Sequence, residues 1–309
     1  APDQVRIAEE PDPENIANVI DQLESAERPL ILAGRGAMLS GSKEVLEEFS
    51  RLIGARVATT LPANRFFDGH PHDLGICGES SPPAARDEIA RSDVVVAVGA
   101  SMNQYTTLGG LMFDGAKIVQ IETDADQPFR ASSFELGLIG DAKEVVEALT
   151  AEWRRRGLGE REVSGSHPKR GDIQQSVLDI ELDHDPKRGL DPRDVFVELD
   201  RKLPPNRIVV TDNGRMMGNA LPTLVGARDA ESWVTGTSFG CVGQGVGLAI
   251  GAATAHPDRP TVLFSGDGGF MMSLQSIDVA RTADLDLTIV LINDEMLGCT
   301  WCGHLCSEV

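Results

Sequence analysis

Short apolar runs that stop at glycine, each followed by a segment of helical spacing, recur along this chain. Residues 29–36 read PLILAGRG and lead into 42–54, SKEVLEEFSRLIG, a helical spacing with a glycine stop. Residues 55–60, 93–100, 116–123 and 135–140 repeat the strand half of the unit, and 82–92, PPAARDEIARS, repeats the helical half. Strands that are apolar throughout, rather than at alternate positions, must be covered on both faces. Strands alternating with helices pair in parallel. The pattern predicts a doubly wound α/β domain over residues 1–153.

From 154 apolar residues thin out, and RRRGLGEREVSGSHPKRGD is dominated by Gly, Ser, Pro and charge. Residues 154–188 therefore read as a linker. A second domain, 189–309, opens on GLDPRDVFVELDRKLP, with Asp191 placed to cap a helix. It repeats the same rhythm: NRIVVT before DNGRMMG, ESWVTG before GCVGQGVGLAIGAATAH, and TVLFS before a glycine turn. The fold expected is two doubly wound parallel-sheet domains joined by a linker, the second of them truncated.

Bulk properties remove several functional classes. With 28 Lys and Arg against 48 Asp and Glu, the formal net charge is −20, which argues against a nucleic-acid partner because phosphate backbones need clustered cations. No run approaches the length of a membrane-spanning helix, and the first residues, APDQVRIAEEPDPEN, are too polar for a signal peptide. The 5 cysteines form no secreted disulfide framework, so a reducing, cytoplasmic setting is expected.

The stretch FSGDGGFMMSLQSIDVARTADLDLTIVLINDE carries the strongest chemical signal. A strand ends at Ser265, the turn is Gly266-Asp267-Gly268-Gly269, a helix follows from about Phe270 to Thr282, and a second strand delivers Asn293-Asp294. Ligands of open α/β sheets bind beyond the carboxyl ends of the strands. A helix that begins directly after a glycine turn offers free N–H groups to an anion. Asp267 itself repels an anion, so a cation must stand between them. Magnesium suits that place, since it takes oxygen ligands and bridges carboxylates to phosphates. The simpler reading is that Asp267 caps the helix and Asp294 sits in a turn.

The order Gly266-Asp267-Gly268, helix, strand, Asn293-Asp294 resembles the thiamin diphosphate-dependent enzymes, nearest to the acetolactate synthase group. The resemblance implies a magnesium ion held by Asp267, Asp294 and the backbone carbonyl of Met296, with Asn293 as an alternative ligand because relatives more often carry Asn at position 294. FGCVGQGVGLAIGAA (239–253) is similar to the family's glycine-rich segment beside the cofactor's pyrimidine. There the carbonyl of Gly240 would accept a hydrogen bond from the aminopyrimidine, and Val242 would prop the cofactor into a bent shape. The competing role for these glycines is close helix packing. In TDNGRMMG, Asn213 and Gly214 match a diphosphate-contacting loop in which Arg215 and Met216 stand where relatives often have Gln and His. Arg215 would then pair with a phosphate or lie free at the surface.

The resemblance further implies decarboxylation of a small 2-keto acid, followed by protonation or by addition to a second carbonyl, in a homodimer or homotetramer of the full-length protein. In the family a glutamate on a preceding pyrimidine-binding domain activates the cofactor. No residue here takes that role, so a fragment inactive by itself is expected, with Glu231 and Glu295 the first carboxylates to test otherwise. The alternative is an inactive regulatory or binding subunit on the same fold; a plain nucleotide-binding protein is a weaker one. FAD, which related proteins can hold in the first domain, is not expected: Gly34-Arg35-Gly36 lacks the third glycine of a dinucleotide fingerprint, and only Glu122 stands where a ribose contact can sit. Cys299, Cys302, His304 and Cys306 are too crowded for the usual zinc geometry, so no metal is expected there.

Overall fold

The computed structural model describes residues 11–124, 134–181, 189–218, 220–227 and 229–296. The chain divides into two compact units, Ala1–Ile173 and Gln174–Val309.

The first unit is built on six parallel strands: β1 (Pro29–Ala33), β2 (Arg56–Thr59), β3 (Asp73–Ile76), β4 (Val94–Val98), β5 (Lys117–Glu122) and β6 (Phe134–Ile139). Their order is β3-β2-β1-β4-β5-β6, the doubly wound arrangement in which chain direction across the sheet reverses beside β1. β1 and β4 are buried at every residue, which explains why their sequences are apolar throughout. The helix Lys43–Ile53 ends at Gly54, whose φ of +66° is the left-handed stop expected from the sequence. Glu88 is a buried acid: its Oε1 lies 2.6 Å from Arg56 Nε and 2.5 Å from Arg28 Nη2.

The elements of this unit beyond the sequence reading include a helix and a strand. Pro13–Ser25 is a helix capped by Asp12, whose carboxylate accepts from Glu14 N at 3.0 Å. The acidic start of the chain hides its apolar stripe, Ile16, Val19, Ile20 and Leu23, all buried at helical spacing. β3 is only four residues long and contains Gly75 at φ +74°, so its pattern is too short to read as a strand.

The second unit is built on four parallel strands, β7 (Ile208–Thr211), β8 (Trp233–Thr235), β9 (Thr261–Gly266) and β10 (Leu287–Ile292), in the order β10-β9-β7-β8. The helix Pro192–Lys202 begins at Asp191, whose carboxylate accepts from Arg193 N at 2.8 Å, and Phe196 on that helix packs edge-on against Phe264 of β9. The helix Gly245–Ala255 covers the face formed by Ile208, Val210 and Leu263. Among the described residues β10 is one of the two edge strands of this sheet, and Leu291 is 45% exposed.

The single helix expected over 270–282 is corrected. The chain instead forms a helix Asp267–Met272 directly after β9, a 3-10 turn Leu274–Ser276, and a helix Ile277–Thr282. Ser273 breaks the run with φ −122° and ψ 14°, and its hydroxyl donates to the carbonyl of Gly243. A tertiary bond thus outweighs local periodicity. The helix Arg170–Leu178 lies within the stretch read as a linker. The cysteine-bearing segment 299–306 falls outside the described residues.

Candidate cofactor site at the strand ends

Three turns meet beyond the carboxyl ends of the second unit's strands. The register of β9 and β10 pairs Gly266 with Ile292, so Asp267 and Asn293 are the next residues on neighbouring parallel strands, with Asp294 one beyond. The two acidic positions singled out in the sequence therefore leave the same sheet edge side by side.

Asp267 is the first residue of its helix, half-buried, and its side chain makes no hydrogen bond or ion pair among the described residues. It is no cap; the cap position belongs to Gly266, which has no side chain to offer. Asp294 is engaged at both oxygens: Oδ2 pairs with Arg215 Nη2 at 2.6 Å, and Oδ1 accepts from Met296 N at 3.2 Å. Arg215 is thus neither free nor poised in isolation for a phosphate; it offsets the carboxylate at 294. Asn293 Oδ1 accepts from Glu295 N at 3.2 Å, a tight turn in which Glu295 takes φ +57°.

The glycine-rich loop lies beside this pair. Gly240 and Gly243 have φ of +78° and +93°, conformations that side chains rarely adopt, so their identity is fixed by the turn. Asn213 Nδ2 donates to the carbonyl of Cys241 at 2.9 Å, joining the turn after β7 to this loop. Val242 meets the 266–269 turn: a methyl built on Gly269 would lie 3.1 Å from Val242 Cγ1. Gly268 is half-buried in the same turn and Gly214, at φ +144°, forms the bend after Asn213.

The residue that organises these turns is one the sequence reading passed over. Asp212, at the end of β7, is 1% exposed. Its carboxylate accepts from Asn213 N at 2.8 Å, Gly243 N at 3.0 Å, Gly245 N at 3.2 Å and Ser265 Oγ at 3.0 Å. The clue in the sequence was an acid ending a solid apolar strand, IVVTD, where burial demands several partners.

All the candidate ligands here are oxygens, the donor set magnesium prefers, and a free carboxylate at Asp267 fits a bridging ion. Among the described residues no three His, Cys, Asp or Glu side chains converge as a metal-holding group, so an ion at this edge would draw its remaining ligands from backbone, cofactor or water oxygens.

The first unit has its own crevice at the switch point of its sheet, lined by Gly36, Gly99, Glu122, Gly140 and Asp141 among others. Gln120 Nε2 donates to Glu122 Oε1 at 3.2 Å, and burial raises the Glu122 carboxyl above its ordinary range. A methyl on Gly34 would strike the carbonyl of Gly99, and one on Gly36 would lie 2.7 Å from Gly99 Cα, so neighbouring backbone fills that space. Glu122 ends β5, two strands from β1 in the sheet.

Two parallel-sheet units, the second with paired acids and a glycine-rich loop at the carboxyl ends of its strands, define a protein of the open α/β class, in which ligands bind at such strand ends. Its sequence matches the family described as "Thiamine pyrophosphate enzyme, central domain" over residues 16–149 and "Thiamine pyrophosphate enzyme, C-terminal TPP binding domain" over 212–302. The chain belongs to the thiamin diphosphate-dependent enzymes. It is 29% identical over 306 residues to a sulfoacetaldehyde acetyltransferase of Alcaligenes xylosoxydans xylosoxydans, covering 90% of this chain and 51% of that protein. It is 27% identical over 304 residues to an acetolactate synthase of Arthrospira platensis, covering 95% of this chain and 51% of that one. Benzoylformate decarboxylase from Polynucleobacter necessarius shares the fold, with a TM-score of 0.77 at 20% identity over 98% of this chain and 55% of that structure. The chain thus spans about half the length of the curated relatives it matches. No helix among the described residues is long and apolar enough to cross a membrane.

Proposed function

We propose that this chain contributes the diphosphate- and magnesium-binding half of a cytoplasmic, oligomeric enzyme that decarboxylates a small 2-keto acid or joins the product to a second carbonyl. The observation that carries this reading is the register of β9 and β10, which sets Asp267 beside Asn293 and Asp294 at one sheet edge. The relatives' names, an acetolactate synthase and a sulfoacetaldehyde acetyltransferase, support the same class of chemistry.

In this reading Asp267, Asp294 and the carbonyl of Met296 hold the ion, and Arg215 balances the second carboxylate against the diphosphate. Asn293 is the alternative oxygen donor. Gly266, Gly268 and Gly269 let the turn come close to the diphosphate; Asn213 and Gly214 line it from the β7 side. Gly240 presents its carbonyl to the pyrimidine end, and Val242 fills the space between the two ends. When bound, thiamin diphosphate supplies the nucleophilic carbon and the electron sink that decarboxylation requires. The chain's own residues orient that group and exclude water from it. The alternative, an inactive binding subunit, predicts the same cofactor affinity without turnover.

Calorimetry with thiamin diphosphate in the presence and absence of magnesium tests the reading. Asp267→Ala is expected to weaken magnesium-dependent binding by at least about tenfold, roughly 1.4 kcal/mol, because the diphosphate loses its bridging cation. Equal affinity for both proteins at saturating magnesium would refute the assignment. Carbon dioxide release from pyruvate by the full-length protein then separates enzyme from binding subunit.

A further inference from the structure

We propose that Asp212 is the positioning residue of this site, its buried carboxylate holding the glycine-rich loop and the 266–269 turn at one fixed separation. The inference rests on the thiamin diphosphate reading above and adds a residue that reading does not use.

An acid that merely ends a strand bonds to its own turn. Asp212 does so through Asn213 N at 2.8 Å, but four further contacts leave its segment. Oδ1 accepts from Gly243 N at 3.0 Å and Gly245 N at 3.2 Å; Oδ2 accepts from Gly243 N at 3.2 Å and from Ser265 Oγ at 3.0 Å. Its own N–H donates to the carbonyl of Phe264 at 2.9 Å, which fixes it against β9. One carboxylate therefore fastens three chain segments that are far apart in sequence.

Two glycines are shaped around it. A methyl on Gly245 would lie 2.7 Å from Asp212 Cβ, and one on Gly269 would strike Asp212 Oδ2. Gly269 is buried against this side chain and Val242. Because Val242 belongs to the loop and Gly269 to the turn, any slackening at Asp212 changes the distance between the pyrimidine-side and diphosphate-side groups. A ligand that spans both ends reads that distance; a ligand that occupies only one does not.

The test uses two probes on the full-length protein at fixed magnesium, thiamin diphosphate and inorganic pyrophosphate, each measured by calorimetry. Asp212→Asn keeps the shape but presents one acceptor oxygen in place of two. It is expected to weaken thiamin diphosphate binding by about tenfold while pyrophosphate stays within about twofold of wild type. Amide exchange across residues 240–245 of the cofactor-free protein should quicken. Should Asp212→Asn fail to fold, Ser265→Ala removes only the hydroxyl and is expected to show the same split at about threefold. Equal weakening of both probes, or no weakening of either, in the folded variant overturns the inference. Wild-type protein that binds pyrophosphate but not thiamin diphosphate overturns the cofactor reading itself.

Discussion

The same substitution at two points of one helix should have opposite effects on stability. In the helix Gly245–Ala255, Gly251 is exposed with nothing within 4 Å of the position a methyl would take. Gly251→Ala removes unfolded-state freedom and adds helix propensity, worth about 0.5–1 kcal/mol in an exposed helix interior. Gly245 is the first residue of that helix, where the propensity gain is smaller. Its methyl would lie 2.7 Å from Asp212 Cβ and 3.0 Å from Leu263 Cδ1. Neither neighbour can retreat easily: Leu263 is fully buried in β9, and Asp212 is held by the carbonyl of Phe264 and by the four donors to its carboxylate. Overpacking of this kind costs about 1–3 kcal/mol, which exceeds the propensity gain. Gly245→Ala should therefore destabilise the second unit by about 1–2 kcal/mol, leaving the two variants about 2 kcal/mol apart. Hydrogen exchange of the β7 and β9 amides, followed by mass spectrometry, reports this unit alone. A Gly245→Ala protein as stable as Gly251→Ala would show that the turns yield freely, contrary to the packing around Asp212.

Glu88→Gln should destabilise the first unit by about 3–5 kcal/mol, because it leaves the Arg56 guanidinium, 2% exposed at its side chain, without its counter-charge; urea denaturation checks this, and a loss below about 1 kcal/mol would contradict it. Burial, with the neighbouring His72 adding to it, lowers the His70 ring from 6.5 to about 4. The folded state thus resists protonation there, and stability present above pH 6.5 should be lost as pH falls towards 4. His70→Gln should flatten that part of the melting temperature against pH curve; an unchanged slope would place the acid sensitivity elsewhere.

What the sequence determined by itself was whatever local chemistry controls. The solid apolar run VVVAV, set between turn residues, reads as a strand covered on both faces of a parallel sheet, and Asp191 starts a helix and Gly54 stops one by their own side-chain and backbone preferences. The pairing of Asp267 with Asn293-Asp294 was legible for the same reason, since a strand, a helix and a returning parallel strand bring their ends to one edge. Tertiary structure alone decided the rest. Whether Ser273 continues a helix depends on the carbonyl of Gly243, thirty positions away, which no local pattern contains. Arg215 and Asp294 meet because β7 and β10 flank β9, so neither residue's neighbours in the sequence announce the pair. Asp212 stayed hidden because a buried carboxylate is defined by the donors around it, and its donors come from three segments that only the folded sheet brings together.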